Sequence, residues 1–380
     1  MTAHAAHLRL APATLDRGEL AELRATVREA VAESGYPAGA RALEGDVAGI
    51  DTDLWRLLAE EIGLAGVGLP ESAGGLGGLA EVLAVAEELG AGLAPVPFLA
   101  TTVLSGQILA ACAAANPTAA GATAGLATEE IAGGAVITSA ITDHRGRFTV
   151  QGIGPTITGS SVTGSVRFVP WGASASAFVV AARAEDGDVS VVLIPAQAPG
   201  VTATPLEALD FSRPVARVSF DGAEGTVLAT GDTALAALSH GVTIALLAAG
   251  ADQLGGAQRC FDLTLDYIKL RRQFNREIGS FQAIKHRMAD ALAQVEMMRS
   301  GLERVTWDER ENIALDAATV KAWNSDAYLA VAAETVQLHG GVGFTWEHDA
   351  HLYFRRARYD DAFLGNAQFH REQLAALLAW

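Results

Sequence analysis

The chain has 380 residues, half of them hydrophobic and 19% charged, which suits two or three units that each bury a core and excludes extended disorder. Its formal charge of −17 speaks against nucleic acid as a partner, because a phosphate backbone needs clustered Lys and Arg, although a local group of Arg can still hold an anionic ligand. Cys112 and Cys260 have neither metal-ligand nor redox spacing and read as core thiols of a cytoplasmic protein without a metal site.

Residues 1–9 carry His4 and His7 and no apolar run behind a basic region, so no secretory signal is expected. From 13 to 90 the period is helical: Leu20, Leu23, Val27, Ala30 and Val31 form one apolar face, and Trp55, Leu58 and Ile62 another. Pro70, Gly74, Gly75 and Gly77 punctuate a loop, after which residues 79–89 resume the helical period up to a stop at Gly90. No charged residue occurs from 91 to 128. Pro95, Pro97 and Pro117, with Ser105, Gln107 and Asn116, break that stretch short of a spanning helix, and a buried helix followed by an Ala/Gly connector is expected.

Near Leu126 the texture changes to short Val-, Ile-, Thr- and Phe-rich segments between Gly, Asp and Ser turns, at 134–142, 147–152, 165–169, 177–183, 189–195, 215–220 and 226–229. Helical periods return by Thr233 and continue over 235–271, 284–305 and 314–338. The pattern gives an α+β multidomain protein with an N-terminal helical domain at 1–125, a middle β domain at 126–230 and a C-terminal helical bundle at 231–380.

Two groups carry candidate chemistry. In Tyr267-Ile268-Lys269-Leu270-Arg271-Arg272-Gln273-Phe274-Asn275-Arg276, a basic helix end runs into an aromatic, amide-bearing turn that can offer donors to a diphosphate. The same Arg can instead satisfy helix C-terminal carbonyls. In Gln337-Leu338-His339-Gly340-Gly341-Val342-Gly343-Phe344, three glycines after a long helix let backbone approach a ligand or simply turn.

In this order on an α-β-α frame, the two groups resemble the acyl-CoA dehydrogenase family of flavoproteins, as do Leu69-Pro70-Glu71, Gly74-Gly75-Leu76-Gly77 and Glu87-Glu88-Leu89-Gly90. The resemblance implies a C-terminal four-helix bundle, FAD lying where subunits meet, an acyl-CoA substrate and an electron-transfer acceptor. It implies that Arg271, Gln273 and Phe274 reach the diphosphate and adenosine portion of a flavin held mainly by a neighbouring subunit. Gln337, Gly340 and Gly341 would line the same portion, with Gln368 near the adenine. Asn275 stands where the family usually has Gly.

The chain departs from the family where the chemistry should be. Leu364 occupies the usual place of the catalytic Glu, and Ala245 occupies the alternative place on the first long C-terminal helix. Leu246 replaces an Arg that commonly contacts CoA. The segment that cradles the flavin ring is missing from 137–143, and Pro170, in Phe168-Val169-Pro170-Trp171, has no N–H for a flavin nitrogen. Asp361, Asp360 and His240 are the candidate replacement bases. The two Asp would otherwise pair with Arg355, Arg356 and Arg358 at a surface or interface, and His240 would sit at a helix start. A retained adenosine end without a base resembles the companion subunits of actinobacterial steroid-degrading heterotetrameric acyl-CoA dehydrogenases. The alternatives are a homotetrameric dehydrogenase with an unorthodox base and a flavin-free paralogue that binds a partner chain.

Overall fold

A computed structural model describes residues 14–46, 48–116, 118–307 and 312–378. The opening residues and Pro117, both used in the sequence reading, lie outside them.

The N-terminal part contains α1 (Arg17–Glu33), α2 (Thr52–Arg56), α3 (Leu79–Ala91), α4 (Gly106–Ala115) and α5 (Ala119–Ala132). Asp16 starts α1 with a capping box, accepting from the Gly18 and Glu19 amides while Glu19 reaches back to the Asp16 N–H. α4 continues from a wholly buried π-helical segment, Leu99–Ser105. The expected Ala/Gly connector is instead helix α5, because alanine loses least on entering a helix and outweighs the two glycines. Since α5 runs through residues 125 and 126, we propose that the change to β structure comes after Ala132.

The middle part has β1 (Ile137–Ala140), β2 (Thr156–Thr158), β3 (Ser161–Pro170), β4 (Ala177–Arg183), β5 (Val189–Pro195), β6 (Val201–Leu206), β7 (Val215–Glu224) and β8 (Thr226–Thr230). Seven of them run in the order β6-β7-β3-β2-β4-β5-β8, and β1 pairs in parallel with β4. Phe178, Val180 and Ala182 of β4 face the sheet's own core, whereas Val179 and Ala181 face the helices, so β4 reads as an unbroken apolar run. The expected strand at 147–152 does not form. Asp143 folds the chain back by accepting from the Arg145 and Arg147 amides at 2.7 and 3.0 Å, which leaves Arg147 only an isolated pairing with Leu364. β2 and β6 escaped the sequence reading, β2 being three residues long and β6 containing Pro205 in an edge strand.

The C-terminal part consists of α6 (Gly231–Leu270), a hairpin of β9 (Arg272–Gln273) and β10 (Arg276–Glu277), α7 (Gln282–Trp307), α8 (Ile313–His339), α9 (Ala350–Ala362) and α10 (Ala367–Leu377). α6 is the axle, packing on α3, α4, α7, α8 and α9. It crosses α3 glycine to glycine: a Cβ on Gly90 would overlap the Asp252 carbonyl, and one on Gly255 would overlap that of Glu87. α6 is long and apolar enough to cross a membrane, yet 78% of its most apolar window is buried in the protein, as in a core helix.

Buried charges tie the parts together. Arg356 of α9 donates to Asp210 Oδ2 and Ser212 Oγ, both at 2.6 Å, and Arg213 pairs with Asp252 of α6. The expected surface pairing of Asp360 with neighbouring Arg is therefore corrected. Arg356 and Asp360 point inward and are wholly buried, because α9 turns that face toward α6 and the loop before β7.

Candidate functional site

The first site is an exposed end of the helical part. Tyr267 of α6 stacks on His339 of α8 with ring centroids 4.3 Å apart, which brings the 272–277 hairpin beside the 340–344 turn. Arg271 closes α6, its N–H bonding to the Tyr267 carbonyl, and its side chain is exposed. Phe274 and Asn275 form the two-residue hairpin loop, with φ of 53° and 63°. Such a loop requires left-handed backbone at both positions, and Asn is the side chain that tolerates it best after Gly. Gln273, Gln337, Gly340 and Gly341 are exposed as well, and Phe274 and Phe344 are 86% and 76% exposed. The structure thus gathers Arg271, Gln273, Phe274, Gln337, Gly340 and Gly341 into one outward-facing surface of donors and aromatic rings.

Gln368 is not part of it. It lies in the first turn of α10, where its amide donates to Glu372 at 3.0 Å and the adjacent Arg371 pairs with Asp326 in the middle of α8. Eleven residues of helix separate Asp326 from Gln337, about 16 Å.

The second site is a cavity of about 300 Å³ where β1, β3, α9 and the loop before β7 meet. Ser139, Thr142, Phe168, Pro170, Leu209, Tyr359, Phe363 and Leu364 are among its walls, so the ring-cradle departures and the base position converge on one place. Ser139 Oγ is engaged with Ser105 Oγ at 2.8 Å. Leu364 is 3% exposed and sits at φ 57° between Lys321 and His370, which approach the backbone on either side of it. Lys321 Nζ donates to the Asp360 and Asp361 carbonyls at 2.7 and 3.1 Å, and His370 faces the carbonyls of Leu364 and Gly365. Burial brings Lys321 down to about 8 against the opposing pull of Asp361, Asp360 and Asp326. The Asp143–Arg147 turn, the Ser105–Ser139 pair and the Lys321 contacts were absent from the sequence reading, and only the Asp143-x-x-Gly146 turn left a readable signal.

None of the three candidate bases lines this cavity. Asp360 is driven well above the usual carboxylate range by burial and the nearby Asp252, and it faces the Arg356 cluster. Asp361 uses Oδ1 to accept the Ala367 amide at 3.3 Å. His240 lies well inside α6 and not at a helix start. Its Nε2 meets Gln107 Oε1 at 2.9 Å beside a different cavity, about 750 Å³, between α3, α4 and α6. Ala245 and Leu246 are buried in the helical core.

A flavin fits the two sites unequally. The exposed end offers guanidinium and amide donors and aromatic faces suited to a diphosphate and adenosine. The cavity offers a proline without N–H, a serine already engaged and a leucine, in a volume at the bottom of the range for small-molecule sites. The residues around this cavity therefore do not fit a flavin ring.

Comparison with known proteins agrees with this architecture. Residues 18–116 match the N-terminal domain of acyl-CoA dehydrogenase and residues 237–379 its C-terminal domain. The chain is 35% identical over 342 residues to acyl-CoA dehydrogenase IpdE2 of Mycobacterium tuberculosis, covering 88% of this chain and 89% of that one. Among solved structures, a glycine-to-alanine variant of the Tcur3481–Tcur3483 steroid ACAD superposes with a TM-score of 0.81 at 30% identity, covering 95% of this chain and 98% of that one. The ChsE4–ChsE5 complex from Mycobacterium tuberculosis gives a TM-score of 0.82 at 29% identity, covering 96% and 98%.

Proposed function

The chain belongs to the acyl-CoA dehydrogenase family of FAD-dependent oxidoreductases, and we propose that within it this chain is a companion subunit of a heteromeric enzyme, completing the flavin site of a partner that carries the base. The observation that carries this reading is the split between an exposed donor surface around Arg271 and a largely apolar cavity with Leu364 in its wall.

Desaturation of an acyl-CoA removes an α-proton as a hydride leaves the β-carbon. FAD, when bound, supplies the hydride acceptor, and the base must come from protein. Leu364 and Ala245 cannot take a proton, so that step falls to the partner. Arg271, Gln273, Phe274, Gln337, Gly340 and Gly341 would hold the diphosphate and adenosine portion of the partner's flavin. Gln368 lies apart from this surface, bonded to Glu372 on α10. The names of the solved relatives, a steroid enzyme and a two-chain complex, support a steroid-derived acyl-CoA and an α2β2 assembly. We place the enzyme in the cytoplasm, passing electrons to a separate carrier.

The test is co-expression with an acyl-CoA dehydrogenase-like chain that has the Glu, followed by flavin assay and anaerobic bleaching by an acyl-CoA. The reading expects flavin and bleaching only in the co-purified assembly. A full flavin complement with bleaching in the isolated chain would overturn it in favour of a homotetrameric enzyme.

A further inference from the structure

The 300 Å³ cavity has lost the features of a ring site but has not closed. Its walls are largely apolar, from Leu104, Phe168, Val215, Phe363 and Leu364. Arg145 and Arg358 also line it, both exposed and neither with an ion-pair partner among the described residues. Next to Phe168, Arg167 lies over that ring at 4.8 Å. Glu207 is the one exposed carboxylate lining the cavity, since Asp210 is buried and taken by Arg356.

In a chain of net charge −17, two lining cations and a third over a wall ring, against one exposed lining carboxylate, make a local field of the opposite sign, and field lines concentrate over low-dielectric walls. We propose that this cavity is a binding site without chemistry for a small amphiphilic anion, an apolar body with a carboxylate that meets Arg145 and Arg358 at the mouth. Asp210 is held by Arg356, Tyr359 is pushed above the usual range by burial, and Leu364 and Phe363 are inert, which leaves exposed Glu207 as the one lining carboxylate. A ligand can enter and leave but is not converted. The site requires neither flavin nor a partner chain, so it goes beyond the companion role and survives if that role fails.

The same chemistry could be presented by a free carboxylic acid or by the anionic end of a CoA thioester, and the probes separate the two. Calorimetry on the full chain uses a cyclic aliphatic carboxylate such as cyclohexanebutyrate, its CoA thioester and the corresponding neutral alcohol. The expected result is saturable binding of the carboxylate, weakened about five- to tenfold in the alcohol and in Arg145→Glu with Arg358→Glu, the scale of a charge-assisted contact at a half-exposed mouth. Because both arginines are exposed, these variants should fold. Ala362→Phe, from an exposed cavity-lining position, should abolish binding by filling the space. The proposal is overturned by no saturable binding of the carboxylate, by equal affinity for the alcohol, by preference for the thioester, or by retained binding in Ala362→Phe. Flavin content of the co-purified assembly, measured separately, reports on the companion role alone.

Discussion

His370 should make the turn that carries Leu364 acid-sensitive. The imidazole is 3% exposed, and burial, followed by the nearby charge of Lys321, lowers its pKa to about 3, although the Leu364 and Gly365 carbonyls pull the other way. Because the folded value lies below the ordinary 6.5, the unfolded chain takes the proton first. Stability is therefore complete above about 6.5 and is lost as pH falls toward 3. A group displaced by that much contributes about 2 kcal/mol of the loss by pH 5 and approaches about 5 kcal/mol below pH 3. His240, His339, His348 and His351 are also lowered, chiefly by burial, and add to the wild-type slope. His370→Met removes one contribution and leaves those four. Urea unfolding followed by tryptophan fluorescence at pH 7.5 and 5.0 should show the variant losing about 2 kcal/mol less than wild type over that interval. Equal losses in the two proteins would refute the reasoning and mean that His370 is solvated or already charged.

Arg271→Ala should weaken flavin retention in the co-purified assembly about tenfold or more, with Lys restoring only part because it lacks the planar fork; unchanged flavin content would leave Arg271 as a helix cap. Asp360→Asn, Asp361→Asn and His240→Gln should each leave anaerobic bleaching in the assembly within a few-fold of wild type, whereas loss of a general base costs about a hundredfold or more. A collapse in Asp361→Asn alone, at unchanged flavin content, would make this chain the catalyst. Arg356→Met should destabilise the fold by about 3–5 kcal/mol in urea titrations, because it strands Asp210 in the interior; a cost under about 1 kcal/mol would show that the buried cluster does not tie the parts together.

How far the sequence could be read depended on how local the determining interactions are. α6, α7 and α8 begin and end within a few residues of the helical periods at 235–271, 284–305 and 314–338, since burial of one face repeats every three or four residues. The failed strand at 147–152 had β-forming residues, but the Asp143 carboxylate overrode them with four hydrogen bonds into residues 145 and 147. Asp360 was misread as a surface charge because its surroundings, Asp252 and Arg356, depend on how α9 packs on α6. The family resemblance grouped Gln368 with Gln337 in one adenosine site, and within this single chain the helical geometry holds them apart.

Backbone strain bears on what the second site is for. Among the described residues, six non-glycine positions have positive φ: Leu93, Phe168, Trp171, Phe274, Asn275 and Leu364. Phe168 and Leu364 line the 300 Å³ cavity, Trp171 follows its wall residue Pro170, and Phe274 with Asn275 makes the exposed hairpin loop. Each such residue costs about 1–3 kcal/mol and persists only where its surroundings over-determine it. At the hairpin the turn itself demands the conformation. At the cavity local backbone accounts for it as well: Phe168 lies in a β-bulge of β3 against β7, and Leu364 is the third residue of a turn closed by the Gly365 N–H on the Ala362 carbonyl, a position that takes positive φ. The bulge and the turn thus set the walls of the cavity from local backbone alone, and its apolar lining with Arg145 and Arg358 is what a small amphiphilic anion would meet.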